Sequence, residues 1–259
     1  MKSKYPIILV HGVAVKDFLF FKAFGKIEKI LKTEKYHVYT AATDAFGSIE
    51  SNAAQLKAYI QKVLKEEQAQ KVNLIAHSKG GLDAKYMIQH LCMEDKVASL
   101  TTLCTPHQGA SLASTLLKLP KVLLYIIAFF INVGYRILGD KHPDSLKACQ
   151  QLQRTAYLED DFLHIYEKIY CQSYSSVLEK SREDFVMDVP LMLFKKFDQC
   201  PSDGLVSVES AKFANYKGLC MEESVSHTEI IDLMTKKSKK EKIFSFYRQL
   251  CAELVEMGF

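Results

Sequence analysis

Apolar positions in the first hundred residues follow two alternating rhythms. Short unbroken runs, PIILV at 6–10, HVYTAA at 37–42, KVNLIA at 71–76 and VASLTTLC at 97–104, read as strands covered on both faces. Between them, Phe20, Phe24, Ile27 and Leu31 fall on one face of a helix over 18–32. Leu56, Ile60, Val63 and Leu64 mark a second helix, and a third is expected over 80–92. This alternation predicts a mostly parallel sheet with helices on both faces, an α/β fold. The rhythm breaks over about 111–165, where VLLYIIAFFI at 122–131 is apolar on every side. The run is well short of the roughly 18–20 residues that cross a bilayer, so it must be buried or face something greasy. Strands resume with KIYCQSYS at 168–175 and VPLMLFKKF at 189–197. A last helix places Ile243, Tyr247, Leu250 and Leu254 on one face, and the lysine-rich KKSKKEK before it, 236–242, reads as a solvated loop. One domain over 1–259 is expected, with an insertion at about 111–165.

Composition narrows the function. A net charge of +4 is too small and too dispersed for nucleic acid, and 48% apolar residues suit an ordinary globular core. Seven cysteines without a CxxC or metal-ligand spacing point to free thiols in a reducing compartment. The first strand begins within a few residues of Met1, with no apolar leader ahead of it, so a cytoplasmic location is expected.

The chemistry lies in NLIAHSKGG, 73–81. A strand runs into Ser78, with Ala76 two residues before and Gly80 two after, as a strained strand-to-helix elbow demands. A serine hydroxyl needs a base within reach, and the base needs an orienting acid. SDGLVSVESA offers Asp203 on a loop, and VSHTEIIDL offers His227, 24 residues further on. The order Ser, Asp, His on loops at one sheet edge suits a nucleophile, acid and base in this topology. His107, in CTPHQG, is the rival base. The amides of Lys79, directly after the serine, and of Val13, in the HGV turn after the first strand, are candidate donors to an oxyanion. No metal or other cofactor is called for.

The blocks YPIILVHG, KVNLIAHSKGG, TPHQGA, DGLVSVESAKF and SHTEIID together resemble the bacterial triacylglycerol lipases of the α/β-hydrolase superfamily, over about 5–110 and 185–233. The resemblance implies the α/β-hydrolase fold and the same five positions: Ser78, Asp203, His227, Val13 and Lys79. Many such lipases bind calcium near the catalytic histidine, but here the ligand positions hold Glu229 and Leu233, so no metal is carried over. The insertion at 111–165 would be the lid or a wall of the acyl pocket. The expected activity is hydrolysis of acylglycerols or other medium- to long-chain esters through an acyl-serine, with transient lipid-surface contact through the cap. An acyltransferase or thioesterase with the same triad and a non-catalytic lipid-binding protein are the alternatives.

Overall fold

The computed structural model of the chain describes residues 3–19, 21–153, 168–179 and 200–259. Among these, six strands form one fully parallel sheet in the order β2-β1-β3-β4-β5-β6. The strands are β1 (Ile7–Val10), β2 (Val38–Thr40), β3 (Val72–His77), β4 (Val97–Leu103), β5 (Tyr170–Ser175) and β6 (Asn215–Leu219). Alternate residues of each central strand face opposite layers, as the pleat requires. Ile7 and Leu9 pack with α1 (Ile27–Thr33), the turn before it and the C-terminal helix α8 (Lys237–Glu256; α7 is the short Val208–Ala211) through Phe24, Ile27 and Tyr247. Ile8 and Val10 pack with α2 (Ile49–Glu66) and α3 (Lys79–His90) through Leu56, Ile60 and Ile88. Each fully buried side chain of this size contributes roughly 1.5–3 kcal/mol, so both layers are held by the same apolar runs that mark the strands.

Two expectations need correction, and one strand was not expected. The first helix begins at Ile27 rather than near residue 18, because Gly25 takes a left-handed φ of 45° and Phe18 and Phe21 close a turn instead. The lysine run at 236–242 is the N-terminal part of α8, not a loop before it, and Lys239, Lys240 and Lys242 pair there with Glu229, Asp232 and Glu223. Strand β6 carries no apolar run, since this edge strand alternates between exposed and half-buried residues. The expected strand at 189–197 and the end of the insertion lie outside the described residues.

Strand order reverses between β1 and β3, which leaves a crevice above their carboxyl ends. The segment after β4 crosses this edge as α4 (Ser111–Leu116), α5 (Lys121–Ile137) and α6 (Ser145–Gln151). Carboxylates pin its C-terminal half to the loop between β2 and α2. Asp140 accepts the amides of Ala45 (3.1 Å) and Phe46 (3.0 Å) and pairs with Lys16 (2.6 Å). Asp44 accepts the amides of Lys141 (2.8 Å) and His142 (2.7 Å). The Gln151 side chain accepts the Ile49 amide (2.7 Å) and donates to Glu50. Helix α5 itself buries only Ala128, and Val122 and Phe130 are 72% and 68% exposed. Its apolar residues therefore do not serve the core.

Candidate active site

Ser78 occupies the bend between β3 and α3, at φ 54° and ψ −133°, and its amide donates to Leu103 O (3.0 Å). Such a conformation costs a non-glycine residue about 1–3 kcal/mol and persists only where the surroundings enforce it. Crowding does so here. A Cβ on Gly80 would lie 2.5 Å from His11 O and 2.7 Å from Val10 O, and one on Gly12 would lie 2.6 Å from Ser78 Cβ. The small residues flanking the serine thus let the end of β1 pass against the first turn of α3.

His227 and Asp203 meet at this edge, although 24 residues separate them. His227 Nδ1–H donates to Asp203 Oδ2 at 2.7 Å, and the His227 amide donates to Asp203 O at 3.0 Å. The carboxylate is itself oriented, because Oδ1 accepts the amides of Leu205 (2.9 Å) and Val206 (2.8 Å). A carboxylate on Nδ1 leaves the proton-accepting lone pair on Nε2. Both side chains are buried. Beneath them His77 lies with its ring 4.5 Å from that of His227. Burial and that neighbouring ring hold His77 well below the usual histidine range, so it stays neutral.

Val13, Ser78 and His227 line one apolar cavity of about 190 Å³, together with Leu112, Leu116 and Leu205. Among the described residues, the amides of Val13 and Lys79 donate to no protein acceptor, and both flank the serine. The Lys79 side chain turns away and is buried against Asp83 (2.6 Å), which also accepts from Asn52 (3.1 Å). Burial pushes the Asp83 carboxyl up to about 6 despite that ammonium. This pair sits one turn beneath the serine, and only its K-x-x-x-D spacing signals it in the sequence.

The structure thus brings Ser78, His227, Asp203, Val13 and Lys79 together. His107 lies apart from the cavity lining. Its Nε2 bonds to Thr102 Oγ1 (3.0 Å) and its ring stacks on Phe213, so it packs the base of its loop. Cys104 escaped notice in the sequence, yet its sulfur and the donor atoms of Asp203 and His227 lie within 4.8 Å of one another. The set suits a metal poorly. Asp203 and His227 already bind each other, while contact with Cys220 and burial push the Cys104 thiol well above its ordinary range. Glu229, where the resemblance would place a calcium ligand, accepts the ammonium of Lys239 at 2.9 Å.

The model of the family described as palmitoyl protein thioesterase matches residues 6–162, more than half of the chain. The chain is 26% identical to triacylglycerol lipase 2 of Saccharomyces cerevisiae over 90% of its own length and 73% of that protein. It is 34% identical to a triacylglycerol lipase of Pseudarthrobacter phenanthrenivorans over 58% of the chain, and it spans 50% of that relative. The structure of Staphylococcus hyicus lipase superposes with a TM-score of 0.69 at 16% identity, over 99% of this chain and 96% of the other, a likeness of fold. The chain therefore belongs to the palmitoyl protein thioesterase family, among the lipase-type α/β-hydrolases.

Proposed function

We propose that the chain hydrolyses carboxylic esters of acylglycerol or other medium- to long-chain acyl type through an acyl-serine intermediate. The reading rests on one observation: Ser78, on its strained bend, shares an apolar cavity with a histidine whose far nitrogen is held by a buried carboxylate. Ser78 Oγ attacks the ester carbonyl as His227 Nε2 takes its proton. Asp203 fixes the imidazole tautomer and stabilises the imidazolium. The tetrahedral oxyanion is received by the Val13 and Lys79 amides at the N-terminus of α3. His227 then passes the proton to the leaving alkoxide, and a water molecule repeats the attack on the acyl-enzyme.

The cavity walls supply no charged partner for an acyl chain, which favours an apolar one. At about 190 Å³ the cavity is smaller than the roughly 300–1,000 Å³ typical of bound drug-sized molecules. A long chain therefore requires α4, whose Leu112 and Leu116 line the cavity, to shift. The outward apolar face of α5 supports transient contact of the cap with a lipid surface during that shift.

A chain-length series of p-nitrophenyl esters, run on the native protein and on Ser78→Ala, tests the reading. Turnover that survives the substitution, or that vanishes beyond acetyl, would overturn it. The description of the matching family favours a thioester as the competing substrate. Matched palmitoyl oxygen ester and thioester, compared by kcat/KM, decide between the two.

A further inference from the structure

Separate from the catalytic cavity, an open groove of about 830 Å³ runs along α1. Its walls carry five lysines against two carboxylates. Three of the lysines are already paired: Lys22 with Asp17, Lys32 with Glu28 and Lys240 with Asp232. Among the described residues Lys26 and Lys29 have no carboxylate partner, and both are exposed. The groove thus holds uncompensated positive charge at two residues three apart, Lys26 just before α1 and Lys29 in its first turn.

Two turns edge this groove with apolar side chains that the core does not use. Phe18 and Phe21 exchange both backbone hydrogen bonds, N–H to O at 3.0 and 2.8 Å, and close a narrow turn that carries Leu19. Phe21 lines the groove, as does Met234 on the loop before α8. Leu19 and Met234 are 77% and 75% exposed, the highest values for large apolar residues outside α5 among the described residues. Both hold left-handed backbone conformations, φ 48° and 54°, where glycine or asparagine would be at home. Large apolar groups at such positions, held out into water beside unpaired lysines, serve neither folding nor solubility.

We infer that this face docks on a bilayer with anionic phosphate headgroups, Lys26 and Lys29 meeting the phosphates while Leu19, Phe21 and Met234 enter the acyl region. A free phosphate or a soluble anion would satisfy the lysines and leave the apolar groups in water. Only a lipid surface offers both phases at one depth. No helix among the described residues is long and apolar enough to cross a membrane. The loop that leads into the Phe18–Phe21 turn is tied to the inserted helices, through Tyr135 O–H donating to Ala14 O (2.8 Å) and the Lys16–Asp140 pair (2.6 Å). The inference goes beyond the esterase reading and stands on residues outside the catalytic cavity.

The test is co-sedimentation of the full chain, in the Ser78→Ala background so that no vesicle lipid is consumed. Vesicles are phosphatidylcholine alone or mixed with phosphatidylglycerol. The protein should partition onto the mixed vesicles and hardly onto phosphatidylcholine, with partition falling as salt screens the charges. Lys26→Glu/Lys29→Glu should cut partition at least about tenfold, as should Leu19→Ser/Met234→Ser. Lys62→Glu/Lys65→Glu, the same change of net charge on α2 across the sheet, should cut it less than about threefold. Circular dichroism melting of each variant verifies folding. Equal losses in the two lysine pairs, equal partition onto both vesicles, or retention on an anionic polymer without vesicle binding would each overturn the inference. Since partition is read without turnover, failure of the esterase reading would leave this result standing.

Discussion

The crowding around Ser78 makes single atoms decisive. A methyl group at residue 80 would press on two backbone carbonyls that cannot yield, so Gly80→Ala should destabilise the fold by about 2 kcal/mol or more, read by urea unfolding. Gly12→Ala puts its methyl against the Ser78 side chain itself. It should therefore depress kcat by an order of magnitude or more while moving the unfolding midpoint less than Gly80→Ala does. Asp203→Asn would offer Nδ1 an amide in place of a carboxylate and release the imidazole tautomer. A loss of roughly three to four orders of magnitude in kcat, at little change in KM, is expected from ester kinetics. Much of this site is legible in the sequence, because Ala76, Gly80 and Gly81 can flank a serine for few other reasons. Chain order of serine, aspartate and histidine then does what periodicity cannot. Cys104 and the Lys79–Asp83 pair are less legible, since a buried thiol and a buried ion pair leave no local pattern distinct from a core cysteine and a surface pair.

At the scale of elements, apolar runs locate β1, β3 and β4 because strands covered on both faces must be apolar throughout. Strand β6 has one layer to cover at most, and Lys217 and Gly218 erase its signal. The same reasoning explains the early start given to the first helix. Phe24 is a core residue, but the residues before it serve a turn rather than a helix face. Helix α5 inverts the usual relation, since its apolar residues lie outside and it is held by the buried Ala128 against α6 and by polar groups in its second half. Chief among these is the Tyr135 hydroxyl on Ala14 O, next to the Val13 amide, with the Tyr135 ring set edge-on to Phe46 at 4.5 Å. Tyr135→Phe keeps the ring and removes the hydroxyl. With the loop of Val13 less restrained, kcat on a soluble ester should fall about fivefold, the equivalent of one hydrogen bond, while the melting temperature shifts little.

Taken whole, the molecule buries His11, His77 and His107 and holds each below the ordinary value of 6.5, burial being the largest cause in every case. In the unfolded chain these rings take up protons as pH falls through about 6.5, whereas in the folded chain they resist, so stability is lost as pH falls. Asp83 works in the opposite sense, because its folded value of about 6 lies above the ordinary 3.8 and favours the fold as pH drops between them. Among the described residues the three histidines outweigh Asp83, which predicts a net decline in unfolding free energy between about pH 7 and about pH 5, measured in urea, and His107→Phe should flatten it. The tethering of the β4–β5 crossover has a further consequence. Asp44, Asp140 and Gln151 grip backbone amides on both sides of one seam, so residues 140–151 travel with the sheet. Helix α5 is bound to that fixed part as well, because Asn132 Oδ1 accepts the Ser145 amide (2.8 Å) and Ala128 O accepts the Ser145 hydroxyl (3.4 Å). On the reading proposed above, the part left to make room for an acyl chain is then α4, and a substrate would pass Leu112 and Leu116 before it meets the serine.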